Sequence, residues 1–376
     1  MTSIAARLLA ELDGRPVSVL PDAMRHVLGA ARAEVLLIDH QCVSFQALTE
    51  PGVPREDGLW RAVLADEEPR VDGNRLVVAV VAYGDPIGVL DIEWTAKPDD
   101  DAVAVVRHEL APLVALRITA AAPTSYLVAR AQRRREMALA AAVQRSVLPP
   151  SGYADDRIAV EGAVEPAYET GGDIFDYSLR DTLVSATVLD AMGHGLAAAL
   201  VSVLASAALR EARLAGGGMA EQFDAVSEAV AGQYGDDTYV GGVSVELEPA
   251  TGRLRWLTAG HEAPLVGRAG GALEALPVVP ALPLGVVLGN DDRPRSVQET
   301  MLAPGDLVIL YSDGAVDNLD GDGSAVGLAR FQELLASELH RPGRLAVRRV
   351  LDRLMELTGP DLRDDATVLV LRRLAG

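Results

Sequence analysis

The chain has 376 residues, 49% of them hydrophobic, with 34 basic against 54 acidic side chains and a net charge of −20. That length accommodates two domains, and the acidic balance argues against a nucleic-acid partner. A lone cysteine, Cys42, excludes an internal disulfide and any multi-cysteine zinc site. No apolar run reads as a membrane span and the N-terminus is not of the secretory kind, so the expectation is a soluble, cytoplasmic protein with no membrane partner.

The only lysine is Lys97, in Thr-Ala-Lys-Pro. A Walker phosphate loop or a kinase-type nucleotide site needs a lysine at a defined place, and none is available. The histidines are scattered at 26, 40, 108, 194, 261 and 340. His108-Glu109-Leu110-Ala111-Pro112 opens like a zinc-protease helix, but Pro112 stands where the second histidine must be.

In chain order, residues 1–31 read as one or two helices, broken near Asp13-Gly14-Arg15-Pro16. Glu34–Asp39 and Val43–Leu48 read as paired strands, and Gly58–Asp66 as a short helix. Arg75–Tyr83 and Ile87–Trp94 flank Gly84-Asp85-Pro86 as a hairpin. Asp99–Ile118 opens on acidic residues with helical periodicity and closes the unit. This element order, with Gly84-Asp85-Pro86-Ile87-Gly88-Val89-Leu90, resembles a GAF-type sensory domain over residues 1–120; a PAS-like or undefined α+β domain stays open. Nothing in it reads as catalytic, and Cys42 reads as a small core residue.

A break at Ala121–Thr124 precedes an Ala- and Arg-rich stretch, Ser125–Leu148, expected as one linker helix (121–150) that ends at Pro149-Pro150. Its Leu139, Val143 and Val147 share one face. Arg133-Arg134-Arg135 reads as a solvated helix face. From 151 to 376 strands are expected at 158–165, 174–179, 183–189, 239–247, 253–258, 263–267, 307–311 and 366–372. Helices are expected at 196–214, 219–233, 327–339 and 344–357. Many strands with two pairs of helices fit an α+β layered sandwich.

Four acidic elements stand at expected strand ends. They are Gly171-Gly172-Asp173-Ile174-Phe175-Asp176, Leu189-Asp190-Ala191-Met192-Gly193-His194-Gly195, Tyr311-Ser312-Asp313-Gly314 and Arg363-Asp364-Asp365-Ala366-Thr367. A single aspartate of this kind is as readily a turn residue or helix cap. Carboxylates that converge repel one another unless cations are present, and oxygen-only ligand sets suit Mg²⁺ or Mn²⁺.

These elements resemble, in order, the metal-dependent serine/threonine protein phosphatases of PPM type, in the bacterial SpoIIE branch that regulates alternative sigma factors. The resemblance starts at Ala142-Val143-Gln144-Arg145-Ser146-Val147-Leu148-Pro149. It takes in Thr258-Ala259-Gly260-His261-Glu262-Ala263-Pro264 and Leu282-Pro283-Leu284-Gly285 as well as the acidic elements. It implies a layered α-β-β-α sandwich over 151–376 and two bound ions, Mn²⁺ or Mg²⁺. Asp190 would bridge both ions, with the Ala191 carbonyl on one of them. Asp313 and Asp364 would hold the second, and Asp173 would act directly or through water. Asp365 and Asp176 would orient ligands or waters. His194 offers itself as a general acid, although eukaryotic relatives place their histidine closer to the aspartate. His261 would pack a turn. The implied substrate is a phosphorylated protein of the anti-sigma-factor antagonist type, hydrolysed by a homodimer under control of the N-terminal domain and an effector bound there. A phosphatase-fold scaffold without activity, and a sensor whose main activity lies in the N-terminal domain, are the alternatives.

Overall fold

The chain divides into two units, Met1–Glu136 and Met137–Gly376. The computed structural model describes residues 3–375 except 167, 169, 170, 181, 269–272, 287–294, 340–344, 360 and 361; His340 lies outside the described residues.

In the first unit five antiparallel strands run in the order Phe45–Ala47, Arg32–Ile38, Asp85–Glu93, Arg75–Ala82, Arg70–Asp72. Helices Ile4–Leu12 and Leu20–Leu28 and the long closing helix bury Leu8, Met24, Val114 and Ile118 against Leu37, Val78 and Leu90 of the sheet. The hairpin turn is Tyr83-Gly84, both at positive φ, and Asp85 and Pro86 already belong to the strand. Two positive-φ residues give the turn whose twist matches the flanking strands. The closing helix runs Asp100–Ala121 with one wider π turn at Val106–Leu110. That turn lies just ahead of Pro112, whose missing N–H disturbs the α ladder one turn back.

The expected single helix over 125–148 is two: Tyr126–Ala131 and Leu139–Val147, with irregular chain between. No glycine or proline causes the break. Tertiary partners do: the Gln132 carbonyl accepts from the His40 N–H, and the Arg133 carbonyl accepts from Gln46 Nε2 at 2.7 Å. Beyond the break, the Ala138 N–H donates to the Tyr168 carbonyl. These bonds outweigh helix propensity. The Arg133-Arg134-Arg135 run is therefore not helical, although Arg134 and Arg135 are solvent-exposed as expected; Arg134 donates to Gln41 at 2.7 Å. In the second helix the packed face is Ala140, Ala141 and Gln144, while Leu139 is 65% exposed.

The second unit holds two antiparallel sheets. One orders Gln298–Met301, Arg253–Ala259, Val240–Glu248, Leu183–Ala191 and Asp173–Arg180. The other orders Leu273–Ala275, Leu265–Gly267, Leu307–Tyr311, Ala366–Arg373, Ile158–Glu165 and Gly152–Ala154. Alternate residues of both sheets meet in a shared core that includes Val160, Phe175, Val188, Val245, Trp256, Leu310 and Leu369. Helices Gly195–Leu214 and Met219–Tyr234 cover the outer face of the first sheet, burying Val201, Leu209, Phe223 and Val226. Gly327–Leu339 and Ala346–Thr358 cover the second through Phe331, Leu335, Val350 and Leu354. The result is the expected α-β-β-α sandwich. One sequence expectation changes here: Gly195–Leu214 is long and apolar enough by length and composition to cross a membrane. In the fold its Ala198, Val201, Ser202 and Ala205 face is packed inside.

Candidate active site

Along Leu183–Ala191 the inward row runs Val184, Ala186, Val188 into the shared core. Side chains alternate with period two, so the next inward residue is Asp190. Its register partner on the neighbouring strand is Asp173, two residues ahead of the core residue Phe175. The facing sheet repeats the pattern. Leu371 and Leu369 point into the core, Thr367 follows in the same row, and Asp365 and Asp364 stand just ahead of the strand. Val308 and Leu310 lead likewise to Ser312, with Asp313 at the start of the short helix Gly314–Asp317. Apolar rows from both sheets thus end in carboxylates at the same end of the sandwich.

The Gly193 and Gly195 turn at positive φ carries the chain from Ala191 into the Gly195–Leu214 helix, with His194 exposed at its N-cap. Ser202 of that helix donates to the Gly172 carbonyl, fixing the turn ahead of Asp173. Asp173 is 1% exposed, Asp190 is partly buried and Asp364 lies exposed at the rim. Thr367 Oγ1 donates to Asp173 Oδ2 at 2.6 Å. Gln144 Nε2 donates to the Asp173 carbonyl at 2.6 Å and to Asp365 Oδ2 at 3.3 Å. The Asp365 N–H donates to Asp364 Oδ1 at 2.9 Å.

Burial, then the Asp190 and Asp365 charges, hold the Asp173 carboxyl well above the ordinary carboxylate range, against the pull of the Ser312 and Thr367 hydroxyls. Asp190 is pushed up to about 7 by burial and then by Asp313 and Asp364. Burial, Asp364 and Asp317 raise Asp313. Burial also raises Asp364, while the Asp365 N–H and His194 pull it down. These groups are electrostatic neighbours that cannot all ionise cheaply. Among the described residues, however, no three acidic, histidine or cysteine side chains already close on one point as a finished metal cage.

The structure therefore gathers Asp173, Asp190, Asp313, Asp364 and Asp365, with Ala191 at the strand end beside Asp190. It separates Asp176 from them. An odd offset of three from Asp173 turns Asp176 to the helix-covered face, where it pairs with Arg210 at 2.6 Å and Arg213 at 2.7 Å. The expected orienting role for Asp176 is thereby replaced by a buried ion-pair triad on the far side of the strand. His261 is tucked into its turn, its Nε2 buried and without a partner, and burial pushes its pKa down to about 4.

The sequence reading did not name Gln144, Ser312, Thr367 or Asn318 as site residues, although each bonds an acidic residue or its backbone. Glu262 was also passed over; burial and the charges of Asp317 and Asp313 raise its pKa, which places it beside the cluster. The parity of Thr367 with Leu369 and Leu371 was the one signal available in the sequence.

Residues 180–374 match the model of the family described as Stage II sporulation protein E (SpoIIE). The phosphoserine phosphatase RsbU of Bacillus subtilis is 22% identical over 245 residues, 64% of this chain and 70% of that protein. Among solved structures, the SiaA PP2C domain of Pseudomonas aeruginosa shares 23% identity with a TM-score of 0.51, covering 62% of this chain and 93% of that one. The RsbU and RsbW domains of a Mycobacterium tuberculosis protein share 26% identity with a TM-score of 0.49, over 57% of this chain and 60% of that one. With more than half of its length matched by the family model, the chain belongs to the SpoIIE family of PPM-type phosphatase domains.

Proposed function

We propose that residues 137–376 hydrolyse phosphoserine or phosphothreonine on a signalling protein with the help of two divalent cations. The observation that carries this reading is the convergence of Asp173, Asp190, Asp313 and Asp364 where the shared core ends. Their donor atoms are all carboxylate oxygens, the set that Mg²⁺ and Mn²⁺ prefer. Their raised pKa values mark a cluster short of positive charge, so the residues fit such ions. Asp190, Asp173 and the Ala191 carbonyl would hold one ion, and Asp190, Asp313 and Asp364 the other. When bound, the ions supply Lewis-acid neutralisation of the charge on a transferring phosphoryl group.

The chain's own residues prepare that site. Thr367 and Gln144 lock Asp173 from its side-chain and main-chain ends. The packed sandwich keeps Asp173 dry while Asp364 stays open to an incoming phosphoprotein. His194, at the exposed helix start next to Asp364, stands where it could pass a proton to a departing serine oxygen.

The name of RsbU supports phosphoserine as substrate, and the resemblance to the sigma-factor-regulating branch supports an anti-sigma-factor antagonist as its carrier. In this reading the enzyme acts in the cytoplasm as a homodimer, and the N-terminal unit is a GAF-like regulatory module that answers to an effector. The test is hydrolysis of para-nitrophenyl phosphate and of a phosphoserine peptide by the full chain, in EDTA and with added Mn²⁺ or Mg²⁺. Turnover that requires the metal is expected. Equal rates in EDTA and metal, or no turnover in either, would refute the reading.

A further inference from the structure

Asp313 and Asp364 come from different loops and repel one another, yet their backbones touch. A Cβ on Gly314 would lie 2.1 Å from the Asp365 carbonyl oxygen and 3.1 Å from that of Asp364, so only glycine lets the short helix start so close. Asn318 follows at the end of that helix and is 2% exposed. Its Nδ2 donates to the Gly314 carbonyl at 2.6 Å and to the Asp364 carbonyl at 3.0 Å. Its Oδ1 accepts from the Arg363 N–H at 2.7 Å and, more weakly, from the Asp364 N–H at 3.4 Å. Two donors and two acceptors engage all four hydrogen-bonding positions of an amide. Because all four partners are backbone groups of known polarity, the orientation of the amide is settled.

We propose that Asn318 is a positioning residue of the acid site, which ties the Asp313 helix to the Asp364 loop and so sets the spacing of the two carboxylates that receive a divalent cation. The chemistry of the junction selects this side chain. A hydrocarbon would leave the buried Gly314 carbonyl and three part-buried groups of Arg363 and Asp364 without this partner. An aspartate would turn a carboxylate toward two carbonyl oxygens and add charge to an already crowded cluster. Asn318 brings four hydrogen bonds and no charge. It joins the two loops against the repulsion between their carboxylates. The inference rests on the metal reading given above.

Mn²⁺ titration calorimetry on the full chain tests it, with the melting temperature of each metal-free protein measured alongside. Asn318→Ala removes every bond of the amide. Asn318→Ser can still bond the Gly314 carbonyl four residues back, so it keeps the helix end and drops the bridge to Asp364. Loss of a group that orients metal ligands costs about 10- to 100-fold in metal affinity, and about 10-fold weaker Mn²⁺ binding is expected for both variants. Half-saturation of para-nitrophenyl phosphate turnover should move by the same factor, while the rate at saturating Mn²⁺ stays within about threefold. A stabilising role alone would lower the melting temperature and leave the affinity of the folded protein unchanged. Should the alanine variant fail to fold, the serine variant decides. Wild-type-like Mn²⁺ affinity in a folded Asn318→Ser protein overturns the assignment of Asn318 and leaves the metal reading standing. Absence of Mn²⁺ binding by the wild type overturns both.

Discussion

Replacing Asp190 with asparagine separates the cost of the acid cluster from its use. In the metal-free protein the Asp190 carboxyl is pushed from its ordinary value to about 7. A displacement of about three units corresponds to roughly 4 kcal/mol. The sign follows from the raised folded-state value. The penalty is absent where both folded and unfolded carboxyls are protonated, grows as pH rises through about 4, and is complete above about 7. The substituted amide must also be desolvated, so we expect recovery of only about 1–2 kcal/mol near pH 8. For a unit of this size that raises the melting temperature by about 3–6 °C. Near pH 5 more than half of the gain should vanish, because wild-type Asp190 is then protonated. Thermal melts by circular dichroism in EDTA at the two pH values measure this, and Mn²⁺-dependent hydrolysis by the same variant should be abolished. A variant no more stable than wild type near pH 8, or one with activity within about tenfold of wild type, would refute the reasoning.

Thr367→Val keeps the shape at that position but removes the donor to Asp173 Oδ2; Mn²⁺ should bind about 10-fold more weakly in calorimetry, with the fold intact by circular dichroism. Asp176→Ala leaves Arg213 buried without its carboxylate, so stability in urea should fall by about 3–5 kcal/mol. Its turnover at saturating metal should stay within a few-fold of wild type below the unfolding transition, and a selective loss of Mn²⁺ affinity would return Asp176 to the site. His261 is held neutral by burial, with a pKa near 4. Its contribution to stability is therefore present above about pH 6.5 and is lost as pH falls toward 4. His261→Asn should flatten that acid limb in urea titrations, and an unchanged limb would show that another group is responsible.

The strands of the second unit, buried between the facing sheet and the covering helices, were legible as apolar, β-branched runs whose side chains alternate between the two faces. Their ends announced Asp173, Asp190, Asp313 and Asp364. The same alternation, applied to Asp173 and Asp176, would have placed them on opposite faces, a step the motif Gly-Gly-Asp-Ile-Phe-Asp obscured by presenting both together. The break between Ala131 and Leu139 had no local signal, since it depends on carbonyls of Gln132 and Arg133 finding partners near His40 and Gln46. Gln144 and Asn318 were equally hidden. Gln144 reaches Asp365 across 221 positions, and Asn318 reaches Asp364 across 46, and no short-range pattern records such a meeting.

The acid cluster takes its members from both sheets: Asp173 and Asp190 from one, Asp313 and Asp364 from the ends of the two central strands of the other. On the metal reading, a cation gripped by residues of both would be a rivet through a seam. It would oppose sliding of one sheet over the other and make resistance to unfolding depend on how much free metal is present. The converse follows by linkage: whatever shears the seam by a fraction of an ångström must loosen the ion, and whatever closes it must tighten the grip. On the metal reading, a small relative glide of the two β-layers would change metal occupancy without any lid over the reaction centre.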